Sequence, residues 1–233
     1  MDKHPLRADG TAESYNGRMD SPFDLAIAAR QPLFDDTHES AFRLFNGFTE
    51  GDPNLSLDIY ARTLVIHNYA DDPTKNQTYI EDISNYLQTS LIWLRAGILK
   101  QRNGITQDDK RGVLLFGDSP DAKINEHGVW YALDLTMNRD ASFYLDTSLL
   151  RKWLIENMRG KSVLNTFAYT GSFGVAALAG GASRVVQVDH NHRFLDLAKE
   201  SYKLNQFAVN RNDLLALDFF PAVSRFKTGK QTF

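Results

Sequence analysis

SVLNTFAYTGSFGVAALAGGASRVVQVD, residues 162–189, decides the fold. SVLNTFAY (162–169) and RVVQVD (184–189) are short apolar runs that predict two buried strands. GSFGVAALAG (171–180) between them predicts a helix rich in small residues. Further on, residues 191–205 predict a second helix and DLLALDF (213–219) a third strand. Strand–helix–strand–helix–strand in so short a span is the mark of a parallel sheet with crossover helices. On the other side, residues 146–158 predict an amphipathic helix carrying Leu149, Leu150, Trp153, Leu154 and Met158.

The chain before this block reads as a small α+β unit. SPFDLAIAAR (21–30) predicts a short helix with Ser21 as N-cap and Pro22 at its first position, broken by Pro32 to Asp36. LSLDIYARTLVIHNYA (55–70) alternates twice around Ala61-Arg62, which predicts a hairpin. Residues 78–95 place Ile80, Ile83, Leu87, Leu91 and Leu94 on one helical face, with Thr78 as N-cap and Glu81 at capping-box spacing. AGILKQR (96–102), GVLLFGD (112–118) and the pair AKINEHG/VWYALDL (122–135) predict strands, and 103–111 a polar loop. The expected organisation is an N-terminal extension (1–40) with a poorly ordered start over 1–20, a small α+β domain (41–135), and the beginning of an α/β domain (136–233).

Composition bounds the function. Of 233 residues 42% are apolar and 24% charged, which excludes a collagen-like chain and wholesale disorder. No apolar stretch approaches the roughly 18 residues of a membrane span, and residues 1–20 lack the apolar middle of a signal peptide. A cytoplasmic location is expected. There is no Cys, hence no disulfide, thiolate zinc site or cysteine nucleophile. His67, His127, His190 and His192 have no metal-ligand spacing, and no metal is expected. Residues 1–140 hold 14 Lys and Arg against 22 Asp and Glu, a balance of −8, whereas 141–233 hold 12 against 7, a balance of +5. The basic half can attract a polyanion or be a solvated surface. The acidic half argues against strong electrostatic RNA binding by that part.

The chemistry is expected at the carboxyl ends of the parallel strands, where such sheets bind ligands. Asn165 to Gly174 spans a strand-to-helix turn; Gly171 and Gly174 allow close backbone approach to a ligand or tight helix packing. Asp189 ends the second strand, placed to accept from ribose hydroxyls or to cap the next helix. The dinucleotide fingerprint Gly-x-Gly-x-x-Gly would need Gly where Tyr169 stands, which disfavours a pyrophosphate. A ligand with a ribose and no pyrophosphate fits better, and S-adenosylmethionine is the candidate. Phe167 or Tyr169 can face its sulfonium through cation–π attraction or can simply pack. Asp218, at the end of the third strand, can reach an adenine amino group or cap the next turn, and Asn205 is a C-cap.

Three segments carry a family resemblance: DLTMNRDASFYLDTSLLRKWL (134–154), VLNTFAYTGSFGVAALAGGA (163–182) and VVQVDHNHRFLDLAKESYKLN (185–205). Together they resemble class I S-adenosylmethionine-dependent methyltransferases of the ribosomal RNA large-subunit group; residues 41–70 resemble the group's preceding small domain more weakly. The resemblance implies an α/β, Rossmann-like methyltransferase sheet, incomplete in this chain, and methyl transfer to RNA, with ribosomal RNA as substrate. It implies that Ala141 to Asp146, with Phe143 and Asp146 themselves, and Arg151 lid the cofactor. Phe167, Tyr169, Thr170 and Gly171 form its main loop in the group, Asp189 is the ribose acid and Asp218 the adenine-side acid. Asp146 can alternatively cap its helix. Arg151 can bind the cofactor carboxylate bidentately, pair with a Glu of its own helix or face solvent.

The chain differs from the group in two places. Asp140-Ala-Ser142 stands where relatives have a Thr-Gly pair, and there is no Asp-Pro-Pro, the group's target-base motif. The expectation is a longer parent chain, little or no methyl transfer by these 233 residues, and self-association through an open sheet edge. Catalytic residues are not assigned by the sequence. Lacking Cys, these residues cannot attack a pyrimidine ring by thiolate unless the rest of the parent chain supplies one, whereas a ring or exocyclic nitrogen target stays open. Two rival functions remain: a nicotinamide-dependent oxidoreductase, opposed by Tyr169, and a non-catalytic RNA-binding or assembly module with a vestigial cofactor pocket.

Overall fold

In this computed structural model the described residues are 21–233, so the start expected over 1–20 lies outside them. Helix α1 (Pro22–Arg30) begins as predicted: the Ser21 hydroxyl accepts from Asp24 N–H at 3.2 Å, and the Asp24 carboxylate accepts from Ser21 N–H at 3.0 Å. Then come β1 (Ala41–Asn46), the single turn α2 (Gly47–Glu50), and the hairpin β2 (Leu55–Tyr60) and β3 (Thr63–Asn68), which turns at Ala61-Arg62 as expected. Helix α3 (Gln77–Ser90) crosses over to β4 (Ala96–Gln101), parallel to β3. A short α4 (Gln107–Arg111) leads to β5 (Val113–Phe116). The five strands form one sheet in the order β1-β2-β3-β4-β5.

Two expectations fail here. Thr78 does not cap α3: it lies inside a helix whose N-cap position is Asn76, and Asp72 instead accepts from Thr74 N–H in the preceding 3-10 turn. The helix also ends at Ser90, so Leu91 and Leu94 belong to the turn that feeds β4. The 103–111 segment is not wholly loop, because Thr106 and Asp109 form a reciprocal capping box that starts α4.

Every residue of β2 and β3 is buried. On one face Leu57, Ile59, Leu64 and Ile66 meet Phe23 and Ala26 of α1 and Ile80, Ile83 and Leu87 of α3. On the other face Tyr60, Val65 and Ile98 meet a second cluster described below. A polar residue inside such a sheet needs partners. Asp58 has them in Arg43, at 2.7 and 3.1 Å, and His67, at 3.2 Å.

Strands β6 (Lys123–Glu126) and β7 (Val129–Ala132) form a separate hairpin. Its two turn residues, His127 (φ 54°) and Gly128 (φ 78°), are both left-handed, as a type I′ turn requires. This hairpin bridges the chain's two halves. Asn125 N–H donates to Glu39 O at 2.8 Å, while Ala132 N–H donates to the Ser201 hydroxyl at 2.9 Å. Ile124 and Tyr131 fill the cluster that joins Val65 and Ile98 to Val175 and Ala198.

The second half contains α5 (Ser148–Asn157), β8 (Ser162–Thr166), α6 (Ser172–Ala179), β9 (Arg184–Asp189), α7 (His192–Leu204), β10 (Leu214–Ala216) and α8 (Phe219–Thr228). The three strands are parallel in the order β10-β9-β8, the Rossmann-like α/β arrangement expected. Helix α8 packs Ala222 and Phe226 on Val186, Val188 and Leu215. β8 is only half-buried along its length, contrary to expectation, because β9 alone flanks it. Of the apolar residues predicted for this helix, Leu154 and Met158 pack with Ala177 and Val185, whereas Leu149, Leu150 and Trp153 are exposed, and the one residue buried within α5 is Arg151. β10 ends at Ala216, so Asp218 stands beyond the strand, at the N-cap of α8.

The buried Asp58 cluster makes a testable contribution. Its pairs with His67 and Arg43 hold the Asp58 carboxyl below its ordinary value against burial, so the stability it adds is present above about pH 4 and lost as pH falls further. Asp58→Asn is expected to cost about 3 kcal/mol at pH 7, in urea denaturation, by removing the buried carboxylate that Arg43 and His67 converge on. The gap between the two proteins should narrow below pH 4.

Candidate functional site

The site grows from the end of β8. After Thr166 the chain curls through Phe167 (φ 56°), Tyr169 (φ 52°) and Gly171 (φ 78°), three left-handed residues within five positions. Only the glycine adopts this conformation without strain. The curl is held by backbone bonds, Ala168 N–H to Val188 O at 2.9 Å and Gly171 N–H to Ala168 O at 2.8 Å. Asp189 completes it. One carboxylate oxygen accepts from Tyr169 N–H at 2.8 Å and the other from Asn191 N–H at 2.9 Å. The strand tips bearing the glycine turn and the acid are therefore joined directly. A carboxylate has about four acceptor positions, so Asp189 can still accept from ligand hydroxyls.

Gly171 and Gly174 prove to be packing glycines. A Cβ on Gly171 would lie 2.5 Å from Ala198 Cβ and 2.7 Å from Gln187 Nε2, and a Cβ on Gly174 would lie 2.4 Å from Gln187 Cδ. Gln187 is fully buried, accepts from Asn165 Nδ2 at 2.9 Å and donates to the Tyr202 hydroxyl at 2.9 Å. The room that these glycines leave is filled by Gln187, an interior residue with no outward sequence signal.

The segment preceding α5 is tied to the same loop. The buried Thr170 hydroxyl donates to Ser142 O at 2.6 Å. Asn138 Nδ2 donates to the Tyr169 hydroxyl at 3.1 Å, and the Tyr144 and Tyr169 rings lie 5.1 Å apart. Burial pushes the Tyr169 hydroxyl well above the ordinary tyrosine value, so it stays protonated.

Two of the expected cofactor residues do not face this region. Phe143 is buried against Tyr131, with the Arg151 guanidinium 4.0 Å above its ring. Arg151 is itself 0% exposed: it grips Glu126 of β6 bidentately, at 2.5 and 2.8 Å, and donates to Tyr144 O and the Thr147 hydroxyl. The Glu partner anticipated for it lies on the hairpin rather than on α5. The next residue, Tyr144, is the aromatic that meets Tyr169. Asp146 is exposed and does not cap α5, whose N-cap residue is Thr147. Asn205 does cap α7, and it also clamps Trp130 N–H at 2.9 Å.

Phe167 does not pack into the core: it is 74% exposed and stacks on Phe219 with ring centroids 5.4 Å apart. Phe220, also exposed, meets Phe219 edge-on. Asp218 stands exposed beside them, its side chain making no cap bond. The sequence signal for this aromatic group is Asp218-Phe-Phe220 just past a strand. The region thus offers two acids, Asp189 at the end of β9 and Asp218 at the start of α8, and an exposed aromatic pair, Phe167 on Phe219.

A methyltransferase family model, described as S-adenosylmethionine-dependent methyltransferase, matches residues 97–230, more than half of the chain. The chain belongs to that family, whose cofactor is S-adenosylmethionine. It is 28% identical over 220 residues to ribosomal RNA large subunit methyltransferase I of Alteromonas mediterranea, covering 94% of this chain and 55% of that protein. It is 32% identical over 200 residues to a Bacillus subtilis protein assigned as ribosomal RNA large subunit methyltransferase YwbD, covering 84% of this chain and 50% of that one. The chain thus spans about half the length of the curated relatives it matches. Among solved structures, a protein from Streptococcus mutans described as an S-adenosylmethionine-dependent methyltransferase superposes with a TM-score of 0.78 at 22% identity, over 91% of this chain and 55% of that one. That likeness shows the fold.

The glycine packing predicts a coupled pair of substitutions. Gly174→Ala should destabilise the protein by about 1–3 kcal/mol, since overpacking of a close-packed contact costs this much. Adding Gln187→Ala should recover part of that loss in the double variant, measured by thermal or urea unfolding.

Proposed function

We propose that this chain is the cofactor-binding portion of an enzyme that transfers methyl groups to ribosomal RNA. The observation that supports this best is the Asp189 carboxylate, fixed by Tyr169 N–H and Asn191 N–H and open to further donors. Asp189 would accept from the ribose hydroxyls and Asp218 from the adenine amino group. Phe167 and Tyr169 would offer aromatic faces, with Thr170 and Gly171 holding the loop in shape. S-adenosylmethionine, when bound, supplies an electrophilic methyl carbon on a sulfonium. The chain's own contribution is positional: orienting a target nucleophile on that carbon lowers the barrier without covalent attack by the protein. These 233 residues hold no Cys, so a thiolate that attacks a pyrimidine ring would have to come from outside them, whereas a ring or exocyclic nitrogen target needs no such group. An unpaired or flipped nucleotide would be needed to reach the cleft.

RNA as substrate is supported by the names of the curated relatives. The division into an extension (1–40), a small domain (41–135) and a methyltransferase portion (136–233) belongs to the same proposal, as do a cytoplasmic location and self-association along the free edge of β8.

Calorimetry with S-adenosylhomocysteine tests the reading. The protein should bind it and give no heat with NAD. Asp189→Ala and Asp218→Asn should each weaken binding about ten- to a hundredfold, the worth of hydrogen bonds to a charged group. Heat with NAD but none with S-adenosylhomocysteine would overturn the assignment.

A further inference from the structure

The acidic half of the chain contributes cations to a place that its net charge conceals. A cleft of about 290 Å³ opens between α4, the 137–139 segment and the start of α7. Lys110 and Arg111 of α4, Arg139, and Arg193 of α7 line it, together with Asn138 and Phe194, and no carboxylate is among its lining residues. Arg111, Arg139 and Arg193 are exposed. Among the described residues, Lys110, Arg111 and Arg193 form no salt bridge; Asp140 pairs with Arg102, and Asp109, held by its capping bonds to Thr106, is an electrostatic neighbour of Lys110. Four cations around a hollow whose lining holds no carboxylate form a site for a polyanion.

The cleft adjoins the cofactor loop. Asn138 bonds to Tyr169, Asn191 N–H bonds to Asp189, and the Phe194 ring meets the Tyr169 ring edge-on at 4.6 Å. Its walls are held in place from inside. Lys100, fully buried, donates its ammonium to Arg111 O, to Asn138 O at 2.9 Å and to Asp140 O at 3.3 Å, joining the end of α4 to the 138–140 segment. Arg102 and Arg139 donate to each other's carbonyls at 2.8 and 2.7 Å. A buried lysine bonded only to carbonyls is costly unless it holds an arrangement in place, and this one fixes the spacing of the cationic walls.

We propose that this cleft holds the phosphate backbone of the RNA substrate, one step away from the cofactor loop, with Phe194 as a stacking surface for an adjacent base. The proposal rests on the reading of the chain as acting on RNA. A basic groove with an aromatic platform is the common form of single-strand recognition, in which cations track phosphates and rings receive bases.

The test is fluorescence anisotropy of a short single-stranded RNA with the full chain, across a salt series. Arg111→Gln with Arg193→Gln should weaken binding at low salt and flatten the slope of log K against log salt by about 0.7 per cation removed. S-adenosylhomocysteine binding by the same double variant should stay unchanged. Lys199→Gln with Lys203→Gln, further along α7, should leave the slope unaltered. If the first pair fails to fold, Lys110→Gln with Arg139→Gln provides a second. Undiminished RNA affinity and slope in the cleft variants would overturn the proposal, as would absence of RNA binding by the unmodified chain. Polyglutamate bound as well as RNA, with the same losses, would reassign the cleft to an acidic polypeptide. Loss of S-adenosylhomocysteine binding in the unmodified chain, with the slope change intact, would sink the cofactor reading alone.

Discussion

The close approach of α6 to β9 governs the carboxyl ends of the parallel strands. Gly171 and Gly174 have no side chain where Gln187 must lie, and Gln187 in turn links Asn165 of β8 to Tyr202 of α7. Because that contact sets the height of α6 above the sheet, it also sets where the 167–171 curl leaves the strand and meets Asp189. A buried amide satisfied on both sides is a more directional spacer than an apolar side chain of similar size, since its hydrogen bonds fix orientation as well as separation.

Around that contact the two halves of the chain are built into one another. The β6–β7 hairpin bonds to Glu39 on one side and to Ser201 and Asn205 on the other, and its apolar side chains complete a cluster shared by both halves. The segment before α5 then passes from this hairpin to the loop, through Thr170 to Ser142 and Tyr169 to Asn138. The lid-like segment and the glycine loop thus form one hydrogen-bonded surface.

Much of this was legible because it is local. The capping box at Ser21, the turn at Ala61-Arg62 and the pairing of the glycine loop with Asp189 each follow from a few adjacent residues or from the geometry of neighbouring parallel strands. What was misread depends on distant partners. Arg151 looked like a charged residue on a helix with an apolar face, but Glu126, 25 residues earlier, draws it inward and turns Leu149, Leu150 and Trp153 outward. Phe143 and Tyr144 are equally aromatic, and only the packing of Tyr131 and Tyr60 decides which enters the core. The basic cleft was hidden by averaging: the charge balance of residues 1–140 says nothing about three cations brought together at one edge.

The Glu126–Arg151 pair has a consequence for descent. Both partners are shut away from water, each satisfying the other's charge, and one anchors a hairpin while the other anchors a helix. Replacing either alone strands a charge in the interior, at a cost comparable with a large share of a domain's net stability. Lineages that alter one position are therefore expected to alter the other with it, so that in any collection of kindred sequences these two sites should vary in step or not at all.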